Sequence, residues 1–307
     1  AYKIAPQYLQ TQEVDIVHLN SHVLSSWAFA AKRLGFRVVC HNRETVAKGY
    51  FGIRRSILRK IYAYAADVII NISKDNAKRM GLLSKSEVVY NFVDIPEYYR
   101  TPCSQQNGSR KVLFLGGMAK IKGFPVAADC LEFVNKEITI QFAGAIAKID
   151  NNATGIKNHL KNIVKMTLFR SLYAPLKKIN TMPNTEILGM LKKPSIAIDN
   201  CDVLITPFLI EHFSRPAIEA FAYGKPVIGS NVEGMDEIID HNVNGLLVEK
   251  GNPKALAEAI NYLCQNPEIA KKMGEEGRKK AVALFAPTPN MKKAEKIYQS
   301  LISGKQQ

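Results

Sequence analysis

The residues best suited to chemistry in this chain lie between Phe208 and Pro226, in the run Phe-Leu-Ile-Glu-His-Phe-Ser-Arg-Pro-Ala-Ile-Glu-Ala-Phe-Ala-Tyr-Gly-Lys-Pro. Glu211 and Glu219 are carboxylates with seven residues between them. Ionised carboxylates only accept hydrogen bonds, so each can take the O–H donors of a polyol, one a ribose diol and the other a second sugar. Backbone N–H groups around His212, Phe213 and Ser214 are placed to meet an anionic or hydroxylated ligand at a helix start. A second set precedes it. Gly116 and Gly117 make a tight turn in Leu-Gly-Gly-Met-Ala-Lys-Ile-Lys-Gly, where a phosphate can approach the backbone, and Lys122 follows as a cation. His41 ends the apolar run Arg37 to Cys40 and is the third candidate.

These residues need elements to hold them. Asp202 to Pro207 reads as a buried strand of a parallel sheet, and Pro216 marks the first turn of a helix, because its fixed φ suits that position. Glu211 then lies on the loop and Glu219 in the early helix. Open α/β sheets bind ligands in this place, beyond the carboxyl ends of their strands. Neither a dinucleotide fingerprint nor a Walker lysine-serine pair is present, since Gly116, Gly117 and Gly123 have the wrong spacing.

The pair Glu211 and Glu219, with Pro216, Gly224-Lys-Pro-Val-Ile and Asn244-Gly-Leu-Leu-Val downstream, resembles the retaining glycosyltransferases of family four. The resemblance implies the GT-B fold: two Rossmann-like parallel-sheet α/β domains facing across a cleft. It implies a hexosyltransferase that moves a sugar from a UDP-sugar or GDP-sugar to a glycan or polyprenol-linked acceptor, as in polysaccharide or lipopolysaccharide biosynthesis. In its register Glu211 orients the donor sugar, Glu219 holds the ribose, Lys122 contacts the diphosphate and His41 closes the site from the other domain. The family's usual arginine falls on Gly117 here, so Lys120 or Arg215 would have to supply that charge. Asn91 and Glu237 match turn and cap positions. With no Asp-x-Asp in the chain, a metal-free transfer with no cofactor is expected, the leaving diphosphate being held by cations and helix termini. The alternatives are a nucleotide-sugar epimerase or hydrolase of the same fold, or a nucleotide-sugar-binding subunit without turnover.

At 307 residues the chain predicts two domains. Alternating strands and helices predict parallel sheets covered on both faces. The expected divisions are residues 1–95, an acceptor-side domain; 96–289, the donor domain; and 290–307, a helix returning to the first domain. By the resemblance the first domain is incomplete, lacking at least one βαβ unit before Asp15. The excess of 42 Lys and Arg over 27 Asp and Glu, a net charge of +15, points to anionic partners. Nucleotide phosphates or an anionic membrane surface fit that charge. Nucleic acid does not, because the basic residues are spread through helices rather than interleaved with aromatics on strands. A basic amphipathic helix is expected around 157–172, with Leu160, Ile163, Val164, Leu168 and Leu172 on one face. It and the helix predicted over 53–64 are the candidate membrane contacts. The five cysteines form no Cys-x-x-Cys and suit a reducing compartment. The expected location is the cytoplasm, at the inner face of the plasma membrane where the acceptor is lipid-linked.

Overall fold

The computed structural model describes residues 4–44, 52–102, 109–147 and 170–304. The chain divides into two compact units, Ala1–Val93 with Ala283–Gln307, and Asp94–Val282. These divisions stand beside the expected ones after residues 95 and 289.

Unit 1 opens with helix α1 (Ile4–Leu9), an element the sequence reading did not anticipate, whose Ala5 and Leu9 are one helical turn apart and buried. Strand β1 (Ile16–Leu19), helix α2 (Ser25–Arg33), β2 (Arg37–Asn42), α3 (Ile53–Ala65), β3 (Val68–Asn71), α4 (Lys74–Met80) and β4 (Ser86–Val88) follow. The strands pair in parallel in the order β1-β2-β3-β4. Ser73 caps α4 by accepting from the Asn76 N–H, and Gly81 ends it in the left-handed region. The last helix, Pro287–Ile302, belongs to this unit. Its Ile297 and Leu301 pack with Val39, Ile70 and Val89, and Asn290 Oδ1 accepts from the Tyr90 N–H at 3.1 Å.

Unit 2 holds β5 (Arg110–Phe114), α5 (Phe124–Asp129), β6 (Ile138–Ala143), α6 (Arg170–Thr181), β7 (Thr185–Gly189), α7 (Pro194–Asn200), β8 (Val203–Thr206), α8 (Arg215–Ala222), β9 (Val227–Ser230), β10 (Gly245–Val248), α9 (Pro253–Gln265) and α10 (Pro267–Lys280). The six strands are parallel, in the order β10-β9-β8-β5-β6-β7. Strand order reverses between β5 and β8, so the crevice for a ligand opens beyond their carboxyl ends. Strands β8 and β9 are buried at every position, which is why they read as unbroken apolar runs rather than alternating ones. Asn252 caps α9 through the Ala255 N–H, with Pro253 in its first turn.

Most of the basic helix expected over 157–172 lies outside the described residues. Its one described apolar member, Leu172, belongs to α6 and is buried in unit 2's core with Leu176 and Ile179. The helix expected after Glu237 is absent from the described residues: 233–238 is a run of turns, with the Gly234 N–H donating to Asp236 Oδ1. Among the described residues no helix is long and apolar enough to cross a membrane.

Candidate functional site

The crevice between β5 and β8 is built from two loops joined at their backs. Beyond β5 the chain turns at Gly116 and Gly117. A side chain at Gly116 would strike the ring of Phe114, whose nearest carbon lies 2.0 Å from the Cβ position. Phe114 packs with Phe124 and Phe142 at centroid distances of 5.8 to 6.4 Å. Each buried ring contributes roughly 1.5–3 kcal/mol, so the turn rests on a rigid floor. Gly117 has φ 58° and donates to Ala143 O at 3.0 Å. Its Cα lies 2.8 Å from where a Cβ on Gly144 would stand, so the turns after β5 and β6 meet backbone to backbone. The positive φ of Gly117, with the 3.1 Å that would separate a Cβ there from Ala145 N, gives it a structural reason to be glycine where the resembled family has arginine.

Lys122 ends the short 3-10 turn Lys120–Lys122, and Gly123 caps it with φ 80°. A Cβ on Gly123 would lie 1.8 Å from Pro207 O, and the Leu209 N–H donates to Ile121 O at 2.9 Å. The loop after β8 is thus stapled to the residue preceding Lys122. On that loop the His212 ring stacks on Phe208 at 4.1 Å and 24°. Burial, and then the nearby Lys122 charge, push its pKa down to about 4, so the imidazole is neutral at pH 7.

The expectation of free amides around 212–214 is corrected in part. The His212 N–H donates to Glu233 O at 3.1 Å, because Gly234 brings that strand-end turn within 2.9 Å of His212 O, measured from a Cβ position. Ser214 is fully buried and its Oγ accepts from the Ala217 N–H at 3.3 Å, capping α8. Its hydroxyl oxygen is engaged in the fold, and Phe213 beside it is buried. With Ser214 as the cap, Arg215 rather than Pro216 is the first helical residue. Glu211 is partly buried on the loop. Glu219 is partly buried one turn into α8 and meets Arg215 Nε at 2.9 Å. Burial raises its pKa, while the charge and hydrogen bond of Arg215 pull it back.

Gly116, Gly117, Lys122, Glu211, His212, Phe213, Ser214, Arg215 and Glu219 are all carried on the two loops beyond β5 and β8 and the start of α8. His41 belongs to unit 1, near the end of β2. Its Nε2 is buried and meets no hydrogen-bond partner among the described residues. Burial first, then His18 and Arg43, lower its pKa to about 3. The neighbouring Asn42 and Asn71 are buried and bonded to each other at 2.8 Å.

The family described as glycosyl transferases group 1 matches residues 104–280, more than half of the chain and nearly all of unit 2. The chain belongs to that family. This group 1 glycosyltransferase is 27% identical over 291 residues to an uncharacterized glycosyltransferase of Methanocaldococcus jannaschii, covering 91% of this chain and 73% of the relative. It is 30% identical over 120 residues to the capsular polysaccharide biosynthesis glycosyltransferase CapM of Staphylococcus aureus, covering 39% of this chain and 32% of that one. Its fold matches the crystal structure of Anabaena HepE in complex with UDP and glucose with a TM-score of 0.80 at 19% identity, over 96% of this chain and 81% of that one. Both sheets and their all-parallel pairing agree with the GT-B expectation.

Two polar side chains of this glycosyltransferase escaped the sequence reading. Thr206 Oγ1 and Ser230 Oγ, at the carboxyl ends of adjacent strands β8 and β9, are buried and lack a hydrogen-bond partner among the described residues. Each terminates an apolar run, which is the only trace they leave in the sequence. Tyr298 also carries no signal in the sequence: its OH lies 2.7 Å from Nδ1 of His18, a histidine whose place inside the apolar run of β1 reads as packed rather than catalytic, and the His18 ring meets His41 at 5.4 Å.

Proposed function

We propose that this glycosyltransferase moves one hexose from a UDP-sugar to a glycan or polyprenol-linked acceptor, with retention and without a metal ion. The observation that carries the reading is the staple between the loops, Leu209 N–H to Ile121 O, which holds Lys122 beside the loop of Glu211 and His212. In this reading Lys122 neutralises the leaving diphosphate, and the backbone of the Gly116-Gly117 turn lets the phosphates approach. Glu219 accepts from the ribose hydroxyls and Glu211 from the transferred sugar. Neutral His212 offers a ring nitrogen beside Lys122. His41, neutral in unit 1, is assigned to the reacting sugar from the family resemblance.

UDP is favoured over GDP because solved structures of the same fold hold UDP, UDP with glucose, or UDP-glucose. Kinship with CapM, a glycosyltransferase of capsular polysaccharide biosynthesis, supports a glycan acceptor. Calorimetry with UDP, GDP and ADP tests the donor, with UDP expected to bind tightest; a preference for GDP would reassign the base, and binding of none would remove the site. Incubation with UDP-glucose, UDP-galactose and UDP-N-acetylglucosamine, with and without a polyprenyl-phosphate sugar, then separates transfer from hydrolysis or epimerisation. A glycosidic product with the donor's anomeric configuration is expected. Free sugar or a C4 epimer as the sole product would favour the hydrolase or epimerase.

A further inference from the structure

We infer that Tyr298 is a positioning residue for the reaction, holding His18 against His41 and thereby fixing the orientation of the His41 ring. This rests on the reading that gives His41 a part in sugar transfer. Three rings stand in series within unit 1. Tyr298 OH is 2.7 Å from His18 Nδ1 with ring centroids 5.9 Å apart at 62°. The His18 and His41 centroids are 5.4 Å apart at 65°. Both contacts are edge-to-face, an arrangement that aromatic rings favour.

In this inference the Tyr298 phenol is the donor, which makes Nδ1 the acceptor and places the His18 proton on Nε2. His18 is then a single tautomer in a single orientation. Burial, together with the Arg43 charge, disfavours its protonation. Its neutral ring in turn forms one wall of His41, whose Nε2 is buried without a partner among the described residues. An imidazole with no hydrogen bond at that nitrogen takes its orientation from packing, and His18 supplies that packing.

Tyr298 can do this because its helix is fixed at two points. Asn290 accepts from the Tyr90 N–H and donates to the carbonyls of Leu284 and Ala286 at 2.7 and 3.0 Å. Ile297 and Leu301, flanking Tyr298 on the same helix, are buried against Val39 and Ile70. Val39 and Ile70 belong to β2 and β3, and Ile70 is the register partner of His41. The helix therefore cannot turn about its axis without breaking contacts to the strands that carry His41.

The test is nitrogen-15 NMR of histidine-labelled protein, with kinetics alongside. In the unmutated protein His18 is expected to show an unprotonated Nδ1 and a protonated Nε2 throughout the neutral range; a protonated Nδ1 would overturn the inference without recourse to any variant. In Tyr298→Phe, which keeps the ring and removes the hydroxyl, His18 becomes a mixture of tautomers and the His41 ring resonances shift. UDP release from UDP-glucose falls roughly 3- to 10-fold in kcat, with the Kd for UDP unchanged. His41→Ala lowers kcat further, and adding Tyr298→Phe to it costs nothing more. Loss of activity in His41→Ala but not in Tyr298→Phe, or unmoved His41 resonances, would overturn the role of Tyr298 alone. Full activity in both would remove His41 from the reaction and Tyr298 with it.

Discussion

Arg215 Nε stands 2.9 Å from Glu219 Oε1, across one turn of α8. The carboxylate assigned to a ribose therefore already has a cation beside it. An ion pair at this spacing on a partly exposed helix is worth about 0.3–0.5 kcal/mol, little enough for two hydroxyls to share or displace it. Glu219→Ala should raise the donor KM roughly 10- to 150-fold with kcat nearly constant, the signature of binding equal in ground and transition states. Steady-state kinetics on UDP-glucose, with folding checked by thermal melts, measure it.

Glu211→Ala should act on the other parameter. If Glu211 orients the reacting sugar, kcat falls by a similar factor while UDP itself binds as before. Unchanged kcat would return Glu211 to the loop's own hydrogen bonding.

Glu219 also gives stability a sign with pH. Its folded pKa is raised, mainly by burial, so just above the ordinary carboxyl range the native state holds a proton that the unfolded chain has lost. Stability from this group is then lost as pH rises through that window. Glu219→Gln removes the effect, and its melting temperature relative to the unmutated protein should climb as pH rises above the ordinary carboxyl range. A difference independent of pH would show that Arg215 cancels the burial.

The histidines run the opposite way. His212 and His41 are lowered to about 4 and about 3 from 6.5. Unfolding lets them take up protons, so their contribution is complete above 6.5 and declines as pH falls. The slope approaches about 1.4 kcal/mol per pH unit for each imidazole kept wholly neutral. Denaturant titrations across that range should give a shallower slope for His212→Asn and for His41→Asn.

Helix α3 can be tested directly for a membrane contact. Its Ile53, Ile57 and Tyr64 are exposed, and its sequence carries Arg54, Arg55, Arg59 and Lys60 with no acidic residue. If these meet a membrane, flotation with vesicles should rise with the fraction of anionic lipid, and Ile53→Ser with Ile57→Ser should weaken it several-fold at equal charge. Flotation insensitive to anionic lipid would leave the acceptor unanchored by this helix.

Much of the architecture was legible because it is local. The alternation of short apolar runs with amphipathic segments marked the strands, and Pro216 marked a helix start through its own φ preference. The Glu211 and Glu219 spacing was legible for the same reason. What stayed hidden depends on a partner far along the chain. The His212 amide is taken by Glu233 because Gly234 passes close by, and Ser214 looks like a ligand contact until the helix it caps is seen. Thr206 and Ser230 matter only because β8 and β9 are neighbours. Tyr298 meets His18 across 280 positions, a distance no periodicity reports.

Unit 1 is written in two pieces, with all of Asp94–Val282 between them. During synthesis from the amino end, the four-stranded sheet leaves the ribosome before Asn290, Ile297 and Leu301 exist to cover Val39, Ile70 and Val89. The unit coded as one uninterrupted stretch can close while the earlier one still waits with an apolar face uncovered. Completion of unit 1 therefore waits on residues translated after unit 2, and the Tyr298–His18 bond is among the last contacts that can form.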